Sequence, residues 1–423
     1  MGSEWRTATV AELQREGILL VEDGNHGEYR PRPHEFVDAG VAFIRAADMD
    51  GGRVLFDSAS RINDLAVRRI TKGIGALGDV LLSHKGTVGK VALVLDDAPP
   101  FVCSPQTTFW RTLDPSTLDR GYLYAFLRSA PFREQLSARE AETDMAPYVS
   151  LTSQRGLFVP LPPIGRQRDI ARILGSFDDK IELNRRMSQT LESMARALFK
   201  SWFVDFDPVR AKSEGRESGL PEHIADLAPD SFEDSDIGEI PRGWRVVPLE
   251  RLAQVRGGTQ LPAGELRVVG ASPVYGANGL MGYAERRTHD GFVIAFGRVG
   301  AYCGSLHWTY NGAWINNNAS SIEPAAWPEF VLLSLLKVDF ASMRTGSAQP
   351  FIPNWALSAT EILQPPPRLM EEFCRVARPV WRQRWELERN SLALASSRDA
   401  LLPRLIGGGL SVPSGSELAR STQ

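Results

Sequence analysis

Two stretches of this 423-residue chain repeat one helical design at a fixed displacement, and everything else must be arranged around them. The first opens with Pro162-Pro163 and places Ile170, Leu174, Phe177, Ile181, Leu191, Ala195 and Leu198 on one stripe of an amphipathic helix. The second opens with Pro365-Pro366 and continues through Phe373, Val376, Val380, Leu387, Leu394 and Leu401. Pro162 and Pro365, Ile170 and Phe373, Phe177 and Val380, Leu191 and Leu394, and Leu198 and Leu401 all stand 203 residues apart. A proline pair suits a helix start, where a missing N–H does no harm. At ~1.5 Å per residue each helix is a rod of roughly 50 to 60 Å. Asn184 and Ser188 fall on the stripe, where polar groups cost stability but fix register, so the two helices are predicted to pair with each other. Ile173, Met187 and Met194 widen the first stripe and are left for a partner.

The segments before the helices also echo each other. Trp5-Arg6 and Leu13 return 239 residues later as Trp244-Arg245 and Leu252. The chain is therefore read as a duplicated α+β protein rather than a solenoid. Residues 1–161 form a first α/β unit, 162–204 a helical spacer, 205–239 an acidic linker or surface wrap, 240–364 a second unit, 365–406 a second spacer and 407–423 a disordered tail. Within the first unit, Val41 to Arg45 and Gly78 to Ser83 read as strands, the latter followed by a glycine turn and a further strand from Val91 to Leu95. Tyr122 to Leu136 reads as one helix. Gly291 to Gly300 parallels Gly78 to Gly89 as strand then glycine turn, whereas Asn316-Asn317-Asn318 has no obvious twin.

The net charge of −3 hides an uneven distribution. Residues 205–239 hold 11 acidic against three basic side chains, which leaves the remainder at +5. A mildly basic pair of units permits nucleic-acid contact by local patches without requiring it. Cys103, Cys303 and Cys374 are too few and too scattered for a zinc module or a disulfide framework. No segment reads as a signal peptide or membrane span, so the expected setting is the cytoplasm, with no membrane contact.

The combination of motifs resembles a known family. Leu161-Pro162-Pro163, Gln167, Ile170-Ala171 and Ile173-Leu174 at the helix entry, Trp202-Phe203-Val204-Asp205-Phe206 at its exit, and Ile240-Pro241-Arg242-Gly243-Trp244 after the acidic segment are similar to the DNA-specificity subunits of type I restriction–modification systems. So are Gly78-Asp79-Val80-Leu81-Leu82, Gly86-Thr87-Val88-Gly89 and Tyr275-Gly276-Ala277-Asn278-Gly279. The resemblance implies two target-recognition domains, separated by two long helices packed as an antiparallel coiled coil in a pseudo-twofold tandem repeat. Each domain would read half of a bipartite, asymmetric site on double-stranded DNA. It implies docking of two methyltransferase subunits, for which Ile173, Met187, Met194, Trp202 and Phe203 are the candidates, and association with restriction subunits that translocate and cut. At the position matching Gln167 the second helix has Met370, a departure from the pattern.

Chemistry within the chain is not expected. Gly73-Ile74-Gly75-Ala76-Leu77-Gly78 fits a dinucleotide glycine pattern but precedes a strand, where the fingerprint needs a helix. Ala98-Pro99-Pro100-Phe101 is close to the motif with which amino-methyltransferases hold adenine, but Ala98 replaces the polar residue that would bond the amino group. No catalytic residues and no metal site are assigned, and S-adenosylmethionine is expected on the partner rather than on this chain. The competing readings are a self-contained adenine methyltransferase and a coiled-coil scaffold without DNA function. DNA contact needs Arg or Lys on phosphates and Arg, Lys, Asn or Gln on base edges. The loop candidates are His26, Tyr29, Arg30, Arg32, Arg45, His84, Lys85 and Lys90 in the first unit. In the second they are Gln260, Tyr275, Asn278, Arg286, Arg287, Arg298, Asn316 and Asn317.

Overall fold

The computed structural model describes residues 5–140, 147–346 and 349–409. Both long helices are present, Ile164–Phe203 and Pro367–Ile406, at 40 residues each and in the 203-residue register throughout. The chain folds as two compact units whose boundary falls inside both helices. One unit runs up to Glu182 and resumes at Leu392; the other is Leu183–Ser391. No helix among the described residues is long and apolar enough to cross a membrane. The tail expected from Gly407 lies outside the described residues from residue 410 on.

The first unit opens with strand Arg6–Thr9, which pairs antiparallel with Phe158–Leu161 immediately before the first long helix. Thr9 and Glu12 form a reciprocal cap at the start of the short helix Val10–Arg15. A six-stranded sheet has the spatial order Leu19–Asp23, Thr107–Thr112, Val80–Lys85, Thr87–Leu93, Arg53–Val54, Met49–Asp50. A four-stranded sheet runs Phe101–Cys103, Val41–Ile44, Arg61–Ile62, Phe36–Val37, with the first two strands parallel. Trp110, Tyr122, Phe126 and Phe132 fill the core. Into it the first long helix sends Ile170 and Leu174 and the second sends Leu402, Leu405 and Ile406, which fixes the two helical segments as antiparallel here. Asp178 on the first accepts from Arg128 at 2.9 Å and from Arg398 on the second. The stretch Tyr122 to Leu136 is two helices, Arg120–Leu127 and Ala130–Glu140, rather than one. Pro131 has no N–H to continue the first helix, and the Ser129 hydroxyl accepts from the N–H of Phe132 to start the second.

The second unit repeats this plan. Arg245–Pro248 pairs antiparallel with Glu361–Gln364 ahead of the second long helix. One sheet has the order Ala253–Gly257, Ala319–Pro324, Val293–Gly297, Leu306–Thr309. The other is Gly279–Ala284, Ser272–Gly276, Trp314–Ile315, its last two strands parallel. The helical contribution to the core is matched position by position. Phe199, Trp202 and Phe203 stand here where Leu402, Leu405 and Ile406 stand in the first unit. Phe373 and Ala377 stand where Ile170 and Leu174 do. The exit residues are larger and Ala377 smaller than their counterparts. Volume thus moves among positions of one core plan, which close-packed interiors tolerate. Arg384 ties the helical segments together, donating to Glu192 at 2.9 to 3.0 Å and lying over the rings of Trp308 and Trp381. The buried Ser188 hydroxyl faces the Arg384 carbonyl at 3.5 Å.

One expectation about this region changes, and one open alternative closes. Trp202 is 3% exposed, packed on Phe203 and Phe373, and Phe203 6%, packed on Phe330, Phe373 and Trp244, so neither is available to a partner. Met187 and Met194 are 41% and 55% exposed, and Ile173 is half-buried against the first core. The acidic segment is a wrap, not a free linker. It forms helices Asp207–Ser213 and Glu222–Ala225 and the hairpin Phe232–Ser235 with Gly238–Pro241, and it buries Val209, Ala211 and Ile224.

Candidate nucleic-acid interface

The loops at one end of each unit's sheets are built on the same backbone frame. In the first unit, Gly24 N–H donates to Thr107 O at 2.9 Å, Asn25 N–H to Cys103 O at 2.6 Å and Ser104 N–H to Ile44 O at 2.8 Å. In the second, Gly258 donates to Ala319 at 3.0 Å, Thr259 to Ile315 at 2.8 Å and Asn316 to Tyr275 at 2.8 Å. A Cβ on Gly24 would lie 1.9 Å from the Ser104 carbonyl oxygen, and one on Gly258 would lie 2.1 Å from that of Asn316. Only glycine allows this approach, at both copies.

The frame extends to the neighbouring strand end. His84 N–H donates to Gln106 O and Arg298 N–H to Asn318 O; Val149 N–H donates to His84 O and Ile352 N–H to Arg298 O. Gly86 donates to Pro147 and Gly300 to Pro350, each at 2.9 Å. These bonds make Arg298 the counterpart of His84, Val299 that of Lys85 and Gly276 that of Arg45. They also give Asn316-Asn317-Asn318 a twin, Ser104-Pro105-Gln106, which the sequence concealed because only the last position of each triplet, Gln106 and Asn318, shares a side-chain group, the carboxamide.

On this common frame the side chains differ. His84 is buried beside the Tyr148 ring, its Nδ1 2.9 Å from Val149 O and its Nε2 3.6 Å from Asp23 Oδ1. Burial holds its pKa below the ordinary imidazole value, against the pull of the Val149 carbonyl and the Asp23 carboxylate. In the same slot of the second unit, Arg298 lies over the Phe351 ring at 5.6 Å and donates to Asn317 O at 3.1 Å. Gly257 takes the place of Asp23 there.

Arg30, Arg45 and Lys85 come together with Ser104, Pro105 and Gln106 around a cavity of about 310 Å³ walled by Pro31 and Phe43. His26, Tyr29 and Arg32 lie exposed on the same loop as Arg30. That loop is clamped by Glu35, which accepts from Arg69 through both oxygens and from the Arg32 N–H; the Arg69 guanidinium chiefly holds its carboxyl down to about 2. Lys90 is not a free cation: its ammonium donates to Ala46 O at 3.1 Å and Met49 O at 2.9 Å.

In the second unit Asn317 and Gln260 are exposed, and Asn278 occupies the exposed tip of the Ser272–Ala284 hairpin. Asn316 is buried and holds Leu261 N–H at 3.0 Å, so it shapes the loop rather than projecting from it. Tyr275 is half-buried against His307, and burial raises its hydroxyl to about 12. Arg286 and Arg287 face Glu265 and Asp290. Their charge is locally neutralised. Ser104, Gln106, Tyr148, Phe351 and Asn318 were not among the sequence candidates. The Pro147-Tyr148 and Pro350-Phe351 pairs stand 203 residues apart, so running the helix register backwards would have found two of them. Among the described residues no group of three or more His, Cys, Asp or Glu could hold a metal ion.

The type I restriction modification DNA specificity domain family matches residues 35–193. The chain is 34% identical over 195 residues to the type I restriction enzyme HindI specificity subunit of Haemophilus influenzae, covering 44% of this chain and 41% of that one. It is 22% identical over 411 residues to the type I restriction enzyme MjaIX specificity subunit of Methanocaldococcus jannaschii, covering 89% and 88% respectively. In fold it is similar to the type I restriction–modification S subunit from M. genitalium, with a TM-score of 0.57 at 15% identity, over 95% of this chain and 96% of that one.

Proposed function

We propose that the chain is the non-catalytic subunit that selects the DNA sequence on which a type I restriction–modification complex acts, a reading supported by its similarity to specificity subunits of such systems. The observation that carries the reading is the duplicated loop frame with unlike side chains on it. One scaffold used twice with His84, Arg45 and Lys85 in one copy and Arg298, Gly276 and Val299 in the other is suited to two short, dissimilar half-sites. Recognition chemistry can vary on such a frame without disturbing the fold. Base reading is assigned to exposed loop groups such as Gln106, Gln260, Asn278 and Asn317, which carry the amide donors and acceptors that base edges require.

Methyl transfer, with S-adenosylmethionine, belongs in this reading to partner methyltransferase subunits in the cytoplasm. The exposed Met187 and Met194 are the docking candidates, and restriction subunits join the same complex. Sequencing the methylated adenines of cells with and without the gene tests the proposal. A bipartite motif with two unlike halves that disappears on deletion is the expected result. Methylation by the purified chain alone, or an unchanged methylome, would refute it.

A further inference from the structure

The cavity in the first unit is lined by three cations from three separate segments: Arg30 from the loop after Leu19–Asp23, Arg45 from the end of Val41–Ile44, and Lys85 from the end of Val80–Lys85. Among the described residues no acidic side chain lines it. Among the described residues, Lys85 has an aromatic neighbour, the Tyr148 ring at 5.8 Å, and no carboxylate; the Arg30 side chain likewise has no carboxylate partner. Arg45 is held in place by Ser60 Oγ at 2.8 Å and Asp48 at 3.4 Å, which leaves guanidinium donors over for a ligand. Arg30 and Lys85 repel each other and Arg45, whose charge Asp48 offsets only in part, and the repulsion rises where Phe43 and two prolines exclude water from one side. An anion relieves it.

At about 30 Å³ per liquid water, the cavity has room for about ten waters, more than a lone phosphate needs and enough for a phosphate with its sugar. The second unit cannot build the same seat. Gly276 and Val299 occupy the positions of Arg45 and Lys85, and a Cβ on Gly276 would lie 2.6 Å from the Met281 sulfur.

We propose that this cavity seats one backbone phosphodiester of DNA, with its sugar, through Arg30, Arg45 and Lys85, and that the second unit has no matching seat. The proposal rests on the reading of the chain as a DNA-specificity subunit. It separates these three candidates from the base-reading ones: they set register and affinity rather than sequence.

The test uses the full chain assembled with its methyltransferase partners, binding duplexes with and without its methylated motif over a range of salt. Arg30→Ala and Lys85→Ala should each reduce the slope of log K against log salt, by about one at most, weaken both duplexes by the same factor and leave the methylated motif unchanged. Arg133→Ala, which removes an exposed cation from the helix Ala130–Glu140, and Val299→Ala at the matched position of the second unit should leave the slope as it is. Relaxation of one half-site at an unchanged slope would assign the cavity to base reading and overturn the proposal. So would unchanged affinity and slope in both cavity variants. If the unsubstituted complex shows no preference for any motif, the specificity reading itself fails, and that failure appears before any variant is compared.

Discussion

At the scale of single residues, a cation in a loop is not yet a DNA contact. Lys90 lies in the same hairpin as Lys85, yet its ammonium is tied to two backbone carbonyls while Lys85 stays exposed at a cavity rim. Lys90→Ala should therefore lower the unfolding free energy by about 1 to 3 kcal/mol, by removing the partner of half-buried carbonyls. The salt slope of DNA binding should not move. A fall in slope with stability intact would return Lys90 to the interface. Glu35 gives a second residue-level expectation. Arg69 and the Arg32 N–H depress its pKa on folding from an ordinary 4.5 to about 2. A carboxylate depressed on folding contributes stability that is fully present above its unfolded pKa and lost as pH falls through its folded one. The stability difference between the native chain and Glu35→Gln should thus be constant above about pH 4.5 and shrink between there and pH 2. A difference that holds unchanged down to pH 2 would rule the pair out as its source.

At the scale of elements, the long helices were legible in the sequence to within about two residues, because a 40-residue amphipathic stripe with proline starts has few alternatives. What the stripe could not reveal was which apolar residues face the protein and which face outward at the helix exit. The resemblance makes Trp202 and Phe203 docking candidates, and they are core. Trp202→Ala and Phe203→Ala should each cost about 3 to 5 kcal/mol of stability in the second unit. Met187→Asp and Met194→Asp should stay within about 0.5 kcal/mol of the parent, while co-purification with a methyltransferase partner falls. Partner capture that survives both aspartates would place docking on another face. The strands at Val41–Ile44 and Val80–Lys85 were readable from their β-branched and apolar runs. Their register was not, because it is carried by backbone hydrogen bonds such as His84 to Gln106 and Arg298 to Asn318. Backbone bonding leaves no trace in side-chain identity, so His84 and Arg298 could not be recognised as the same position.

At the scale of the whole molecule, the first unit is discontinuous: Leu402, Leu405 and Ile406 complete a core whose other members end at Leu174. Arg398 on the same segment supplies one of the two guanidinium partners of Asp178. A chain ending at Ser397 should leave the second unit folded, since that unit ends at Ser391, while the first loses its cooperative unfolding and becomes sensitive to protease. Equal protection of both units in that truncation would show that the C-terminal turns are dispensable. The same discontinuity has a consequence on the ribosome. The second unit is contiguous and can close its core as soon as its own residues have emerged. The first is made earlier yet must wait for the last helical turns, which at ~5 to 20 residues per second is a delay on the order of ten to forty seconds. Throughout that interval a half-built hydrophobic surface stands open to chaperones and proteases. A chain cut short before Leu402 would keep it open for good, so the fold of the earliest-made residues depends on synthesis passing that point.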